Sequence, residues 1–382
     1  MSREQSTFAD RLLGRVSPAG LLSLAAPLAA IVFAALVTMV ILTIIGAPPL
    51  DTLVSMGEYG VRPRSIVLTL NAATYFYLSA LAVAIGFRMN LFNIGVDGQY
   101  RLAALTAAAV GGAVTLPAPL HVALIIFVAV LVGAGWASIA ALLKVRRGVS
   151  EVISTIMLNA IATSLGAWLL NKERLAVEVA GSNNIGTSPI GPSGQVPGLA
   201  LVSGTQTKVF GLIILSVVMG VLFHVVINRT RFGFNLRATG RSESAAVASG
   251  VNVKRMILVS MILSGGMAGL VGMPQLLGAS YSYSLDFPPG LGFTGIAIAL
   301  LGRNNPVGIA LGALLWAFLD TSAGILQIQK ISPDIVTIMQ GTIVLSVIIA
   351  YELVHRYQIS AEQRRVSRQL AGTTPAKEGT PA

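Results

Sequence analysis

The chain has 382 residues, of which 54% are hydrophobic and only 11% charged, with a net charge of +11 and a mean hydropathy of +0.78. Apolar runs of membrane-spanning length recur from end to end, so the fold class is an all-α polytopic membrane protein. The basic excess sits mostly in short loops and tails beside those runs, which points to lipid headgroups and membrane orientation and away from nucleic acid. There is no cysteine, and His121, His224 and His355 lack ligand spacing, so no disulfide framework and no metal site is expected.

Residues 1–20 form a polar, cytoplasmic N-terminal segment carrying Arg3, Arg11 and Arg15. The first apolar run, 21–46, is longer than a signal-peptide core and precedes no small-residue cleavage site, so it reads as an uncleaved helix. Further runs at 66–87, 97–116, 120–143, 150–170, 208–228, 256–278, 290–302, 306–326 and 334–354 bring the count to about ten within a transmembrane domain spanning 21–358. Lys and Arg crowd into one set of alternate loops, whereas the opposite set holds Arg62, Arg64, Lys172, Arg174, Lys208 and Lys330. This bias predicts N-in, C-in and an even number of crossings. The run 290–302, behind Pro288-Pro289, is short for a crossing and reads as tilted, broken or re-entrant. The Gly/Pro/Ser/Asn-rich stretch 171–207 is expected as an external loop, and the polar tail 359–382 as disordered in the cytoplasm.

No phosphate-binding loop, nucleophile turn or zinc-protease pair occurs, so any ATP used by this chain is hydrolysed by a partner. What remains is a small set of polar groups in apolar surroundings. In LFNIGVDGQYR, Asn93, Asp97 and Gln99 read either as a discontinuous helix that lines a cavity or is buried in protein, or as a cytoplasmic turn with Asp97 capping the next helix. Ser150 is a candidate N-cap ahead of Glu151, a first-turn carboxylate suited to the helix dipole. Asn159 places an amide near mid-span, where it needs a partner helix or a polar solute. Asp320 is a lone carboxylate within a span, a candidate pathway group. Tyr75, Phe76 and Tyr77, with Asn71 one turn earlier, could bind a planar solute or simply form a helix interface. Gly265/Gly269 and Gly308/Gly312 permit close helix approach.

The polar, basic interruption 229–255 is expected to be a cytoplasmic loop. It contains a short smooth helix from Ser242, stopped by Gly250 and flanked by Arg231, Arg237, Arg241, Lys254 and Arg255. Such a helix suits docking in a groove of another protein, and its basic flank suits anionic headgroups. RATGRSESAAVASGVNVKR followed by LSGGMAGLVG resembles the coupling loop and following helix of permease subunits in the ATP-binding-cassette (ABC) importer group for ribose-type sugars, branched-chain amino acids and nucleosides. LFNIGVDGQYRLAAL, GVSEVISTIMLNAIA and GFTGIAIALLGRNNPVGIALGALLWA are similar to segments of the nucleoside or simple-sugar branch of that group, with Asp97 where Glu is commoner and Ser150 where Asn is usual.

The resemblance implies a transport subunit, not an enzyme, in a bacterial cytoplasmic (inner) membrane. It implies an ABC ATPase partner that holds ATP and Mg while this chain holds no cofactor, a second permease in a heterodimer, and an external solute-binding protein. It assigns coupling to Arg237, Ser242, Glu243, Ala245, Ala246 and Gly250. The solute pathway would draw on Asn71, Tyr75, Asn93, Asp97, Gln99, Asn159 and Asp320. The expected solute is a nucleoside, with simple sugars, riboflavin or branched-chain amino acids as alternatives. The rival from another class is an ion-coupled secondary transporter in which Asp97, Glu151 or Asp320 binds a proton or cation.

Overall fold

The computed structural model describes residues 18–178, 184–285 and 287–372. In chain order the helices are α1 (Pro18–Ile44), α2 (Pro49–Gly60), α3 (Pro63–Phe87), α4 (Val96–Ala113), α5 (Ala118–Arg147) and α6 (Glu151–Leu169). A small antiparallel hairpin, β1 (Ala176–Glu178) with β2 (Ile185–Thr187), interrupts them. Then follow α7 (Ile213–Arg229), α8 (Arg231–Arg241), α9 (Glu243–Ala248), α10 (Val253–Gly269), α11 (Leu291–Leu301), α12 (Pro306–Ser322), α13 (Gly324–Ile328) and α14 (Asp334–Gly372). Starts follow local chemistry: proline opens α3 and α12, where its missing N–H costs nothing. Asn305 caps α12 by accepting from the amides of Val307 and Gly308 at 3.0 and 3.5 Å.

Among the described residues, six helices are long and apolar enough to cross a membrane: Pro63–Phe87, Ala118–Arg147, Glu151–Leu169, Val253–Ser280, Pro306–Ile328 and Asp334–Val354. The pair α7–α8, bent by 70°, makes a seventh if it is one span. The protein is thus a helical, multi-pass membrane protein. Two further apolar runs fall short for visible reasons. α4 carries Asp97, Gln99 and Arg101 in its first turns, and α11, with 11 residues, is only about 16 Å long against a hydrocarbon core of ~30 Å.

The chain divides into two compact units, residues 53–331 and a second formed by the segments up to Thr52 and from Ser332. In the smaller unit α1 packs on α14. Ala30, Ala34, Thr38 and Leu42 repeat every four residues along one face of α1, and Ile335, Met339, Ile343 and Val347 do so along α14. The opposite faces expose Val32, Val40, Leu345 and Leu353, as helices bathed in lipid would.

The larger unit is organised around the crossing of α5 and α10. A Cβ built on Gly265 would stand 2.4 Å from the Gly133 carbonyl oxygen and 2.3 Å from the Ala137 methyl, and one on Gly269 would stand 2.1 Å from the Ala129 carbonyl oxygen. The two backbones therefore touch directly, as the Gly265/Gly269 spacing predicts. Gly308 does the same for α11 and α12, its Cβ position lying 2.4 Å from the Gly302 carbonyl oxygen.

Several expectations need revision. α2 lies in a stretch expected as loop, started by Pro49 with Asp51 in its first turn and ended by Gly60, which fits tightly under Phe318 and Ser322 of α12. The expected external loop contains the β1–β2 hairpin. The tail expected to be disordered from 359 continues α14 as helix to Gly372, because AEQRRVSRQL is rich in helix formers, and Glu352 pairs with Arg356 at 2.7 Å just before it. Residues 373–382, and the N-terminal segment up to 17, lie outside the described residues.

Replacing Gly269 with leucine forces α5 and α10 apart and is expected to destabilise the fold by about 3 kcal/mol or more, read as a fall in thermal midpoint in detergent. Gly135→Leu on the same α5, where no atom lies within 4 Å of the built Cβ, leaves the midpoint near the wild-type value.

Candidate functional site

Two helices of the larger unit begin inside the bundle, and side chains of other helices cap them. After α3 ends, the chain turns through Arg88–Gly95 before α4 starts at Val96, and the N-cap residue Gly95 has no side chain to offer. Asn159, from α6, supplies the cap. Its Oδ1 accepts from the Gly98 amide at 2.9 Å while its Nδ2 donates to the Ile94 carbonyl at 2.9 Å. Asn93 and Gln99 close on each other, amide to amide, with both bonds at 2.9 Å. Asn93 also donates to Ser264 Oγ at 2.8 Å, and that hydroxyl donates to the Ala82 carbonyl at 2.6 Å. Both amide residues are buried.

The second interior start is α11. Gly290 at its N-cap has φ +79, and Asp97 of α4 turns its carboxylate to the Gly292 amide at 3.4 Å. A Cβ on Gly292 would sit 2.4 Å from the Asp97 backbone nitrogen, so only glycine lets α4 reach this amide. Nearby, Ser79 of α3 donates to the Leu291 carbonyl at 2.7 Å. Counted along α3, this junction lies about 12 Å from that helix's C-terminal end. The break between α3 and α4 fits the discontinuous-helix reading of 93–99, with the segment buried in protein. Asp97 caps, but it caps α11 rather than its own helix.

Glu151 and Lys144 form an ion pair at 2.6 Å across the turn at Gly148, and the Phe92 amide reaches Glu151 Oε1 at 3.4 Å. Ser150 occupies the N-cap position of α6 without making a side-chain cap bond, contrary to expectation. His121 bonds Ser193 and the Gly111 carbonyl, both at 2.9 Å, and is fully buried as a structural residue.

The expected pathway residues thus fall into two groups. Asn93, Asp97, Gln99 and Asn159 gather at the junction and spend their polar atoms on one another and on backbone. Asn71, Tyr75 and Asp320 instead line one cavity of about 590 Å³, within the size range of small-molecule sites. Asn71 is tied into its wall, donating to the Lys208 carbonyl at 3.1 Å and accepting from the Phe210 amide at 2.8 Å. Tyr75, half-buried and edge-on to Phe76 at 4.8 Å, and the exposed Asp320 present free surface. Sequence reasoning missed Lys208, Phe210, Gln275 and Tyr281 on the same lining. Gln275 alone carried a signal, a polar residue after Pro274 in an otherwise apolar run.

The interruption 229–255 is built from two helices rather than one. α8 leaves α7 at 70°, with Thr230 capping it through the Gly233 amide at 3.1 Å and Arg237 donating back to the Ile227 carbonyl at the end of α7. Arg88, whose guanidinium burial and the neighbouring Arg237 charge hold below its ordinary pKa, donates to the Asn304 carbonyl at 2.6 Å. It thereby braces a turn in which Arg303 and Asn304 both have φ +53. α9 follows, capped by Ser242 through the Ala245 amide at 3.3 Å and stopped by Gly250 with φ +80, as its sequence predicts. Glu243 and Ala245 are exposed, but Ala246, expected on the docking face, is buried against the chain itself. The outward apolar residue of α9 is Val247, 61% exposed.

The family model described as branched-chain amino acid transport system, permease component, matches residues 65–349. The chain is 35% identical over 287 residues to the guanosine ABC transporter permease protein NupP of Bacillus subtilis, covering 75% of this chain and 81% of that one. It is 30% identical over 338 residues to the nucleoside ABC transporter permease protein NupB of Lactococcus lactis, covering 85% and 90%. It is 32% identical over 289 residues to the glucose ABC transporter permease protein TsgB13 of Haloferax volcanii, covering 74% and 75%.

Removing the cap that Asn159 provides leaves the Gly98 amide and the Ile94 carbonyl unpaired. Asn159→Ala is expected to cost about 1–3 kcal/mol, seen as a lower thermal midpoint together with faster hydrogen exchange at Gly98.

Proposed function

The chain belongs to the permease family of branched-chain amino acid transport systems, and on that premise we propose that it forms half of the membrane pathway of an ATP-driven importer for nucleosides. It is a transport subunit and not itself an enzyme. ATP and Mg are handled by an ABC ATPase subunit. An external solute-binding protein delivers the solute near 171–207, and a second, unlike permease completes the channel in a bacterial inner membrane. The basic bias of the loops supports an even number of crossings within 21–358, with both termini and 229–255 in the cytoplasm.

The observation that carries the nucleoside reading is the cavity lining. Tyr75 and Phe210 offer aromatic faces for a base, and Gln275, Lys208 and Asp320 offer donors and acceptors for its edge and for sugar hydroxyls. The likeness to a glucose permease supports a second reading, since the same polar groups serve a hexose, but a hexose leaves the aromatic faces without a planar partner. The junction of Asn93, Asp97, Gln99 and Asn159 acts as frame to this pathway, holding α4 and α11 in place.

The test is uptake and solute-stimulated ATP hydrolysis in liposomes containing the chain with its ATPase, second permease and binding protein. Asp320→Ala is expected to lower nucleoside uptake about tenfold with assembly intact, the loss expected for a hydrogen-bonding group that contacts solute. Tyr75→Ala is expected to weaken nucleosides more than sugars. Uptake driven by an ion gradient in this chain alone would overturn the proposal.

A further inference from the structure

The cytoplasmic segment presents a hollow beside its convex helix. Between α8 and the start of α10 lies a cleft of about 510 Å³, with Asn235, Ser249, Gly250, Asn252 and Arg255 on its walls. Ser249 and Gly250 belong to the cap of α9, so the cleft is continuous with the docking helix. The surrounding segment is strongly one-signed: Arg229, Arg231, Arg237, Arg241, Lys254 and Arg255 stand against the single acid Glu243. Arg237 is spent on the Ile227 carbonyl, but Arg255 is exposed and has no carboxylate within ion-pair distance among the described residues. The Asn235 side-chain amide on the facing wall likewise makes no hydrogen bond among the described residues.

A mechanical argument says what such a hollow is for. α9 is six residues long, about 9 Å. A peg that short, seated in a groove, fixes position but leaves the two proteins free to rotate about it. A second attachment off the peg's axis removes that rotation and lets a turning partner drive the bundle.

We propose that the cleft receives an acidic segment of the ATPase subunit, with a partner carboxylate entering between Arg255 and Asn235, so that the two proteins dock reciprocally. The proposal rests on the importer reading above. A planar headgroup layer would satisfy a flat basic belt, whereas a recess that sets the Asn235 amide and the Arg255 guanidinium among the apolar Phe232, Val251 and Met256 suits an inserted side chain.

The experiment measures association of the ATPase subunit with the full transporter in nanodiscs of neutral lipid and, in parallel, of anionic lipid. It compares wild type with Arg255→Glu, Asn235→Ala, Lys254→Glu and Val247→Asp, each checked for an unchanged melting temperature. Arg255→Glu is expected to weaken association about tenfold at low salt, with a smaller effect at high salt. Asn235→Ala is expected to weaken it by a smaller factor, and Lys254→Glu, outside the cleft, to do so only slightly. If Val247→Asp abolishes association while Arg255→Glu and Asn235→Ala leave it unchanged, the reciprocal contact is wrong and the ATPase reading stands. If none of the four weakens association, the reciprocal contact is likewise wrong, whereas a wild-type transporter that binds no ATPase subunit at all sinks the ATPase reading itself. Equal effects of Lys254→Glu and Arg255→Glu that appear only with anionic lipid would assign the charges to the membrane and overturn the proposal.

Discussion

Everything in the larger unit hangs on how closely α5 and α10 approach. In lipid there is no hydrophobic gain from putting two apolar helices together, so cohesion comes from contact at van der Waals distance and from satisfied polar groups. Gly133, Gly265 and Gly269 allow backbone to lie on backbone. The same approach sets the position of Ser264, the residue before Gly265. From there the hydroxyl reaches Ala82 of α3 and Asn93 of the broken segment. A steric choice at three glycines thus fixes where a polar network can form.

That network solves a second problem. A helix that begins or ends inside a packed bundle leaves backbone groups that water cannot reach. Here the missing partners come from neighbours: Asn159 for α4 and Asp97 for α11, with Arg237 doing the equivalent for the carbonyl end of α7. Because each cap sits on a different helix from the one it serves, the caps also act as cross-links. This explains why four polar residues that look like a solute path in sequence turn out to be occupied, while the open polar groups collect in a separate cavity around Tyr75 and Asp320.

The class of fold, most helix positions and the small-residue contacts were legible because hydropathy and glycine spacing report them directly. So were the break before Asp97 and the cap and stop of α9, since Ser242 and Gly250 have strong positional chemistry. Other features were hidden. α2 has only 12 residues and a modest apolar content, and α14 runs on beyond the apolar stretch because helix propensity, not hydropathy, extends it. Whether Asn93 faces a solute or Gln99 depends on tertiary pairing, on which a linear pattern is silent. The inward turn of Ala246 and the outward turn of Val247 depend on how a helix of two turns lies on α8, and spacing over six residues cannot set that.

The hairpin on the far side has a consequence for timing. Its second strand and the residues after it are stitched to the stretch that follows α10. The Thr187 amide donates to Tyr283 at 2.9 Å, Ile190 to Tyr281 at 2.7 Å and Val196 to Leu277 at 2.8 Å, while the Tyr283 amide returns a bond to the Thr187 hydroxyl at 3.0 Å. Gly278 and Tyr281 of that stretch also line the cavity. Anything that tugs the hairpin by more than a fraction of an ångström must break this seam or drag the cavity wall along. A pull on the hairpin and a change in the cavity wall are therefore one event and not two in succession.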